Sequence, residues 1–136
     1  MDALPDRVAA TIRCAAMTRE TREAAFALLG AFLGRDAHYQ ASAAVYGDSG
    51  AAALDAALTL FLARPELGFV WLARAEREDG VIPVGCCVVC LAISTSRGSL
   101  VAKLDDVTIA NGWQGRGVGT AMLGALAQEG TAIGVL

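Results

Sequence analysis

Residues 107 to 120 read Val-Thr-Ile-Ala-Asn-Gly-Trp-Gln-Gly-Arg-Gly-Val-Gly-Thr, and this stretch decides the fold. It opens as an apolar, β-branched run, which predicts a strand. The pair Asn111-Gly112 then signals a turn. Glycines at 115, 117 and 119 follow, and beyond them the chain turns rich in Ala, Leu and Met, which predicts a helix. A strand, a glycine-rich turn and a helix N-terminus together make an anion cradle. The first N–H groups of a helix have no internal partner and point outward. The helix dipole adds roughly half a positive charge at that end, and glycines let a phosphate come close to the backbone.

Working outward from this stretch, the chain has 136 residues, the size of one domain spanning 1–136. A chain of this length buries roughly 65–70% of its unfolded surface, enough for a core without staples. The composition is 55% hydrophobic and 18% charged, and much of the apolar excess is alanine. The longest uncharged run, Gly80 to Ser96, carries Pro83, Gly85 and several hydroxyl residues, so it does not read as a membrane span. The start, Met-Asp-Ala-Leu-Pro-Asp, does not resemble a signal peptide. The expectation is a cytoplasmic protein with no membrane partner. A net charge of −3 argues against nucleic acid, which needs basic clusters, and is compatible with a cationic small-molecule substrate.

The four cysteines are Cys14, Cys86, Cys87 and Cys90. Cys87 and Cys90 have the C-x-x-C spacing of redox and zinc motifs. They sit, however, in the β-branched run Val84–Ile93, which predicts a strand, where residues three apart face opposite sides. The only histidine, His38, is distant in sequence. Buried structural thiols and no metal are the expectation.

In chain order, the pattern predicts a first strand over 10–15 and a helix capped by Thr18 that runs to about Leu33 and stops at Gly34. Residues 35–47 are ambiguous. Asp48 or Ser49 would cap a second helix, from about Gly50 to Ala63, closed by Pro65. Strands over 69–76, 84–93 and 100–109 form an antiparallel run, with turns at Glu78-Asp79-Gly80 and Ser94–Ser99. A helix from Gly117 to about Glu129 would be capped by Gly130. Thr131–Leu136 would begin a last strand, paired in parallel through the crossover. The fold class is therefore α+β, a mixed but mostly antiparallel central sheet flanked by helices.

Two phosphate-binding patterns fail on spacing. There is no Gly-Lys-Ser/Thr of the nucleotide P-loop. The dinucleotide pattern needs glycines at i, i+2 and i+5, but its third position falls on Thr120 or Met122. Gln114-Gly115-Arg116-Gly117-Val118-Gly119 instead resembles the Q/R-x-x-G-x-G/A pyrophosphate motif of the GNAT acyl-CoA N-acyltransferase superfamily. The preceding Leu104-Asp105-Asp106-Val107-Thr108-Ile109-Ala110 resembles that family's acidic strand, and the order of elements resembles its α/β/α layering.

The resemblance implies acetyl-CoA as co-substrate and a primary amine of a small molecule as acceptor, attacked directly. It implies that backbone N–H groups from Gln114 through Gly115, Arg116, Gly117, Val118 and Gly119 to Thr120 hold the pyrophosphate. Arg116 is either added charge there or a solvated turn residue. The segment Val107, Thr108, Ile109 would line the pantetheine arm, with the backbone of Val107 and Ile109 bonding it. Attack needs a neutral amine, hence a base. Asp105 and Asp106 are the candidates, Asp105 being placed like the glutamate base of polyamine-type members. In a regular strand only one of the two faces the cleft unless a bulge intervenes. Tyr39, Tyr46 and Trp71 would line an acceptor pocket or, in the case of Trp71, pack in the core. Lys103 reads as a solvated strand residue.

Family members continue past the fifth strand into a further helix, often carrying a tyrosine acid, and two strands. Against that pattern the chain reads as C-terminally truncated. Its last apolar strand suggests completion by a second copy, a homodimer. The alternative is a non-catalytic or vestigial acyl-CoA-binding domain.

Overall fold

The computed structural model describes residues 11–35 and 50–132. Strand β1 (Thr11–Ala16) leads through a single turn of 3-10 helix (Arg19–Thr21) into helix α1 (Arg22–Arg35). Helix α2 (Ala51–Ala63) and a short turn (Pro65–Leu67) precede strands β2 (Gly68–Arg77), β3 (Gly80–Ser94) and β4 (Ser99–Ile109), and helix α3 (Val118–Ala132) follows the glycine turn. The four described strands form one sheet in the order β1-β2-β3-β4, every neighbour antiparallel. The expected parallel partner falls on residues 133–136, outside the described set, and so does the dimer contact expected of them.

Strand β2 explains the layering. Its run Phe69-Val70-Trp71-Leu72-Ala73 is apolar without alternation, because both of its faces are covered. Val70 and Leu72 pack with Met17, Ala25 and Leu29 of the α1 side, with Leu54 and Leu58 of α2, and with Cys86. Trp71, Ala73 and Ala75 point the other way, into a cluster with Val84, Cys87, Val89 and Val118, Met122 and Leu126 of α3. Helices thus cover both sheet faces. Trp71 also donates its indole N–H to the Met122 carbonyl at 3.0 Å, which pins α3 to the central strand. On the other face Arg22 ties α1 to α2. Its guanidinium donates to the Asp55 carbonyl at 2.8 Å and the Thr59 hydroxyl at 3.0 Å, and pairs with the Asp55 carboxylate at 2.9 Å.

Thr18 begins the first helical segment as expected, its N–H donating to the Thr21 hydroxyl at 2.8 Å. Two expected helix stops are corrected. Gly34 does not end α1, which runs to Arg35; one exposed glycine in a last turn costs only about 1 kcal/mol relative to alanine. Gly130 does not cap α3. It is buried, four residues beyond Leu126 on the packed face, so the helix continues through it to Ala132. Thr131 and Ala132 are therefore helical and not the start of a strand. The stop before Pro65 is as expected, with Arg64 leaving the helical region after its N–H donates to the Leu60 carbonyl at 2.7 Å. Residues 48 and 49, expected to cap α2, lie outside the described residues, as do His38, Tyr39 and Tyr46. Strand β3 starts earlier than its apolar run suggests and includes Pro83. The register slips there, with Ala73 opposite Gly85 and Arg74 opposite Pro83, and the bulge accommodates a residue that has no N–H to donate.

All four thiols are free. Cys87 belongs to the α3-side cluster, while Cys86 packs on the α1 and α2 side. Cys90 is an odd number of residues from Cys87 along β3 and so shares the Cys86 face. Burial pushes the Cys86 thiol up to about 12 and the Cys87 thiol up to about 11, from an ordinary 9.0. In the unfolded chain these thiols ionise near pH 9, whereas the folded chain keeps them protonated. The unfolded state therefore binds fewer protons above pH 9, and stability falls as pH rises from about 9 toward 12. We expect the urea midpoint to drop between about pH 8 and pH 10.5, by the equivalent of a few kcal/mol. In Cys86→Ala this drop should be visibly shallower; an identical pH profile in the variant contradicts the assignment.

Candidate active site at the end of β4

The site is built by an irregularity in β4. Cys86 of β3 faces Thr108, but Val88 faces Asp105, so Asp106 and Val107 together stand opposite the single residue Cys87. This is a β-bulge, and Asp106 adopts φ +53, the only positive φ outside glycine among the described residues. The bulge resets the alternation. Lys103 and Asp105 lie on the face of Cys90 and Val88, and so does Thr108 beyond the bulge, opposite Cys86. That face carries α1 and α2. Asp106 joins it, lining a groove of about 300 Å³ with Leu29 and Leu33 of α1, Leu54, Leu58 and Phe61 of α2, and Val88. The two acidic candidates are thereby brought to one side of the sheet. Both are solvent-accessible, as is Lys103.

After Ile109 the chain leaves the sheet. The Ala110 N–H donates to the Val84 carbonyl at 2.8 Å, and the Trp113 N–H closes a turn onto the Ala110 carbonyl at 3.0 Å. The Gln114 side-chain amide reaches back to the Ile109 carbonyl at 3.4 Å. Gly112, Gly115 and Gly117 have φ of +85, +76 and +85, a region that glycine alone enters at little cost. A Cβ added at any of the three would meet no atom within 4 Å. These glycines face open space, so their reason is backbone conformation and whatever approaches from outside. In α3 the first helical bond runs from the Ala121 N–H to the Gly117 carbonyl, at 3.0 Å. The amides of Val118, Gly119 and Thr120 precede it and point out of the helix end. No acidic residue occupies the first turn of α3 to neutralise that end. An oxyanion arriving here meets backbone amides with no side chain in the way, and the residues fit a pyrophosphate.

The other predicted residues divide by what they offer. The Val118 side chain is core at 2% exposure, and Thr108 is 5% exposed on the α1 and α2 face, so both can serve a ligand only through the backbone. Val107 is 44% exposed. Ile109 packs against the α3 side, where its Cδ1 lies 3.0 Å from where a Cβ on Gly85 would stand. Arg116 stacks on Trp113, its guanidinium carbon 4.7 Å from the ring centroid, and Arg77 of the β2–β3 hairpin lies 6.0 Å from the same ring. Two guanidinium groups therefore flank the turn, held by cation–π contact. Trp71 takes the packing role, with its N–H on Met122. Trp113, Arg77, Gly85 and the groove on α1 and α2 were not legible as site residues. Trp113 lies inside the quoted stretch, and its place between glycines was the one available signal. Among the described residues no three His, Cys, Asp or Glu side chains group as a metal would need, and no helix is long and apolar enough to cross a membrane.

Residues 34–135 match the model of the acetyltransferase (GNAT) family, and the chain belongs to that family. None of the curated proteins compared with the chain matches it. Among solved structures, an integron cassette protein from the mobile metagenome of Cole Harbour Salt Marsh is similar with a TM-score of 0.69. It is 23% identical, over 90% of this chain and 72% of that one. The glucosamine-6-phosphate N-acetyltransferase of Arabidopsis thaliana is 13% identical, with a TM-score of 0.61 over 92% and 78% of the two chains. A ribosomal-protein-alanine N-acetyltransferase from Brucella melitensis is 14% identical, with a TM-score of 0.62 over 92% and 75%. At these identities the likeness is one of fold, and a fold shared by an enzyme named for a sugar phosphate and one named for a protein does not choose the acceptor.

Proposed function

We propose that the chain is an N-acetyltransferase that moves an acetyl group from acetyl-CoA to a primary amine of a small molecule. The observation that carries this is the bulge, which sets Asp105 and Asp106 on the groove side of β4, four and three residues before Ile109 and shortly before the glycine turn. Acetyl-CoA supplies an activated thioester when bound. The amides of Gly115 to Thr120 hold its pyrophosphate, Arg116 adds charge beside them, and the backbone of Val107 to Ile109 receives the pantetheine arm. Asp106 is the carboxylate an amine in the groove meets first and holds it as the ammonium. Asp105 or Asp106 takes the proton from nitrogen, directly or through water, so that the lone pair is free to attack. A backbone N–H at the bulge polarises the carbonyl. In the balance, the ammonium nitrogen gives up two protons, one to the carboxylate before attack and one after the N–C bond has formed. The C–S bond breaks with its electron pair on sulfur, one proton goes to the thiolate and the other leaves to solvent.

The test is thiol release from acetyl-CoA against an amine panel, with acetyl-CoA affinity measured separately by calorimetry. Of Asp105→Asn and Asp106→Asn, at least one should lower kcat about a hundredfold while leaving acetyl-CoA affinity within about threefold. Saturable acetyl-CoA binding with no turnover of any amine supports the non-catalytic alternative. No acetyl-CoA binding refutes both.

A further inference from the structure

The groove beside Asp106 has a chemistry of its own. Its described lining is Leu29, Leu33, Leu54, Leu58, Phe61 and Val88 with two alanines of α2, Ala53 and Ala57, and Asp106 is the one charged group among them. At about 300 Å³ it holds the equivalent of about ten waters. An apolar wall with a single carboxylate complements a molecule with one cationic end and an apolar body. It opposes other amines. A polyamine would bring a second ammonium against leucine and phenylalanine with no partner. An amino sugar would exchange hydrated hydroxyls for a wall that offers them no hydrogen bonds.

Building on the acetyltransferase reading above, we infer that the groove takes the body of the acceptor, and that the acceptor is a primary amine on an alkyl or arylalkyl chain. The amine nitrogen sits at Asp106, beside the strand end, and the chain runs between α1 and α2 over Val88. Ala57 lines the groove on α2 and is half-buried, so its size sets how far the chain can reach.

The experiment uses the whole 136-residue chain at saturating acetyl-CoA, with ethylamine, butylamine, hexylamine and phenethylamine as acceptors, and spermidine and glucosamine as the contrasting classes. Burial of each methylene should raise kcat/KM about three- to fourfold, so hexylamine should exceed ethylamine roughly a hundredfold. Ala57→Phe, which fills the groove, should cut the hexylamine-to-ethylamine ratio about tenfold, a change in chain-length preference that mere loss of folded protein does not produce. The ladder on the unmodified chain tests the inference even where that variant fails to fold. A flat ladder, or spermidine or glucosamine outrunning hexylamine, overturns the inference, and turnover of any amine in that case leaves the acetyltransferase reading standing. Absence of acetyl-CoA binding by calorimetry overturns both.

Discussion

Gly117→Ala is expected to weaken acetyl-CoA binding about a hundredfold while lowering fold stability by only about 1–2 kcal/mol. The two effects separate because of where the added methyl goes. Gly117 has φ +85, so any L side chain there is strained, but its Cβ would meet no protein atom within 4 Å. The fold therefore loses only the left-handed backbone strain and no packing. A phosphate seated against the helix end has no such freedom, because the methyl occupies its approach to the amides of Val118, Gly119 and Thr120. A hundredfold loss corresponds to about 2.7 kcal/mol of binding, the scale of one or two charge-assisted hydrogen bonds. Calorimetric affinity alongside a thermal melt checks this. If the affinity is unchanged in a folded variant, the turn is structural and holds no phosphate.

Gly68→Ala should act in the opposite sense, on the fold first. Its φ is +147, and a Cβ there would land on the Val89 carbonyl oxygen and crowd the Cα of Cys90 at 3.0 Å. Both are backbone of β3, paired with β2 in the middle of the sheet, and neither can yield without breaking the ladder. The expected cost is about 3 kcal/mol or more, a large share of a domain's total stability, and a melting temperature lower by about 10 °C. Gly80→Ala is the control. It has a similar φ of +135 but nothing within 4 Å, so it should show the backbone cost alone. Equal losses in the two variants would mean that the approach to Val89 is not the cause.

Much of this molecule can be read from its residues, and the reasons differ by element. The strands over 69–76, 84–93 and 100–109 and the glycine turn are local properties, carried by β-branching and by glycine spacing, and they stand within a few residues of where the chain places them. The stop at Pro65 is equally local. Gly34 misled because an exposed glycine in a last turn costs a helix only about 1 kcal/mol, and Gly130 because it lies on a buried face that packing holds in the helix. The carboxylates Asp105 and Asp106 were identified as a pair, but whether they share a side depended on one extra residue in the register with β3. That is a property of two strands together, and no pattern within β4 announces it. The groove was illegible for a similar reason, since Leu33, Phe61 and Val88 come from three elements and each reads only as core. Arg22 and its clamp on Asp55 and Thr59 likewise became visible only once the two helices were side by side.

The bulge also bears on how this segment can drift. Because Asp105 stays opposite Val88 and Thr108 opposite Cys86, loss of one residue at Asp106 or Val107 would restore a regular ladder and leave the flanking side chains on their present faces. What would be lost is the second residue opposite Cys87, and with it the positive φ of Asp106 and its place on the groove. Loss or gain of two residues would shift the strand along its neighbour and keep its faces. Elsewhere between Ser99 and Ile109 length changes should survive selection in even steps, and the bulge is the place where a single deletion keeps the sheet and dismantles the site.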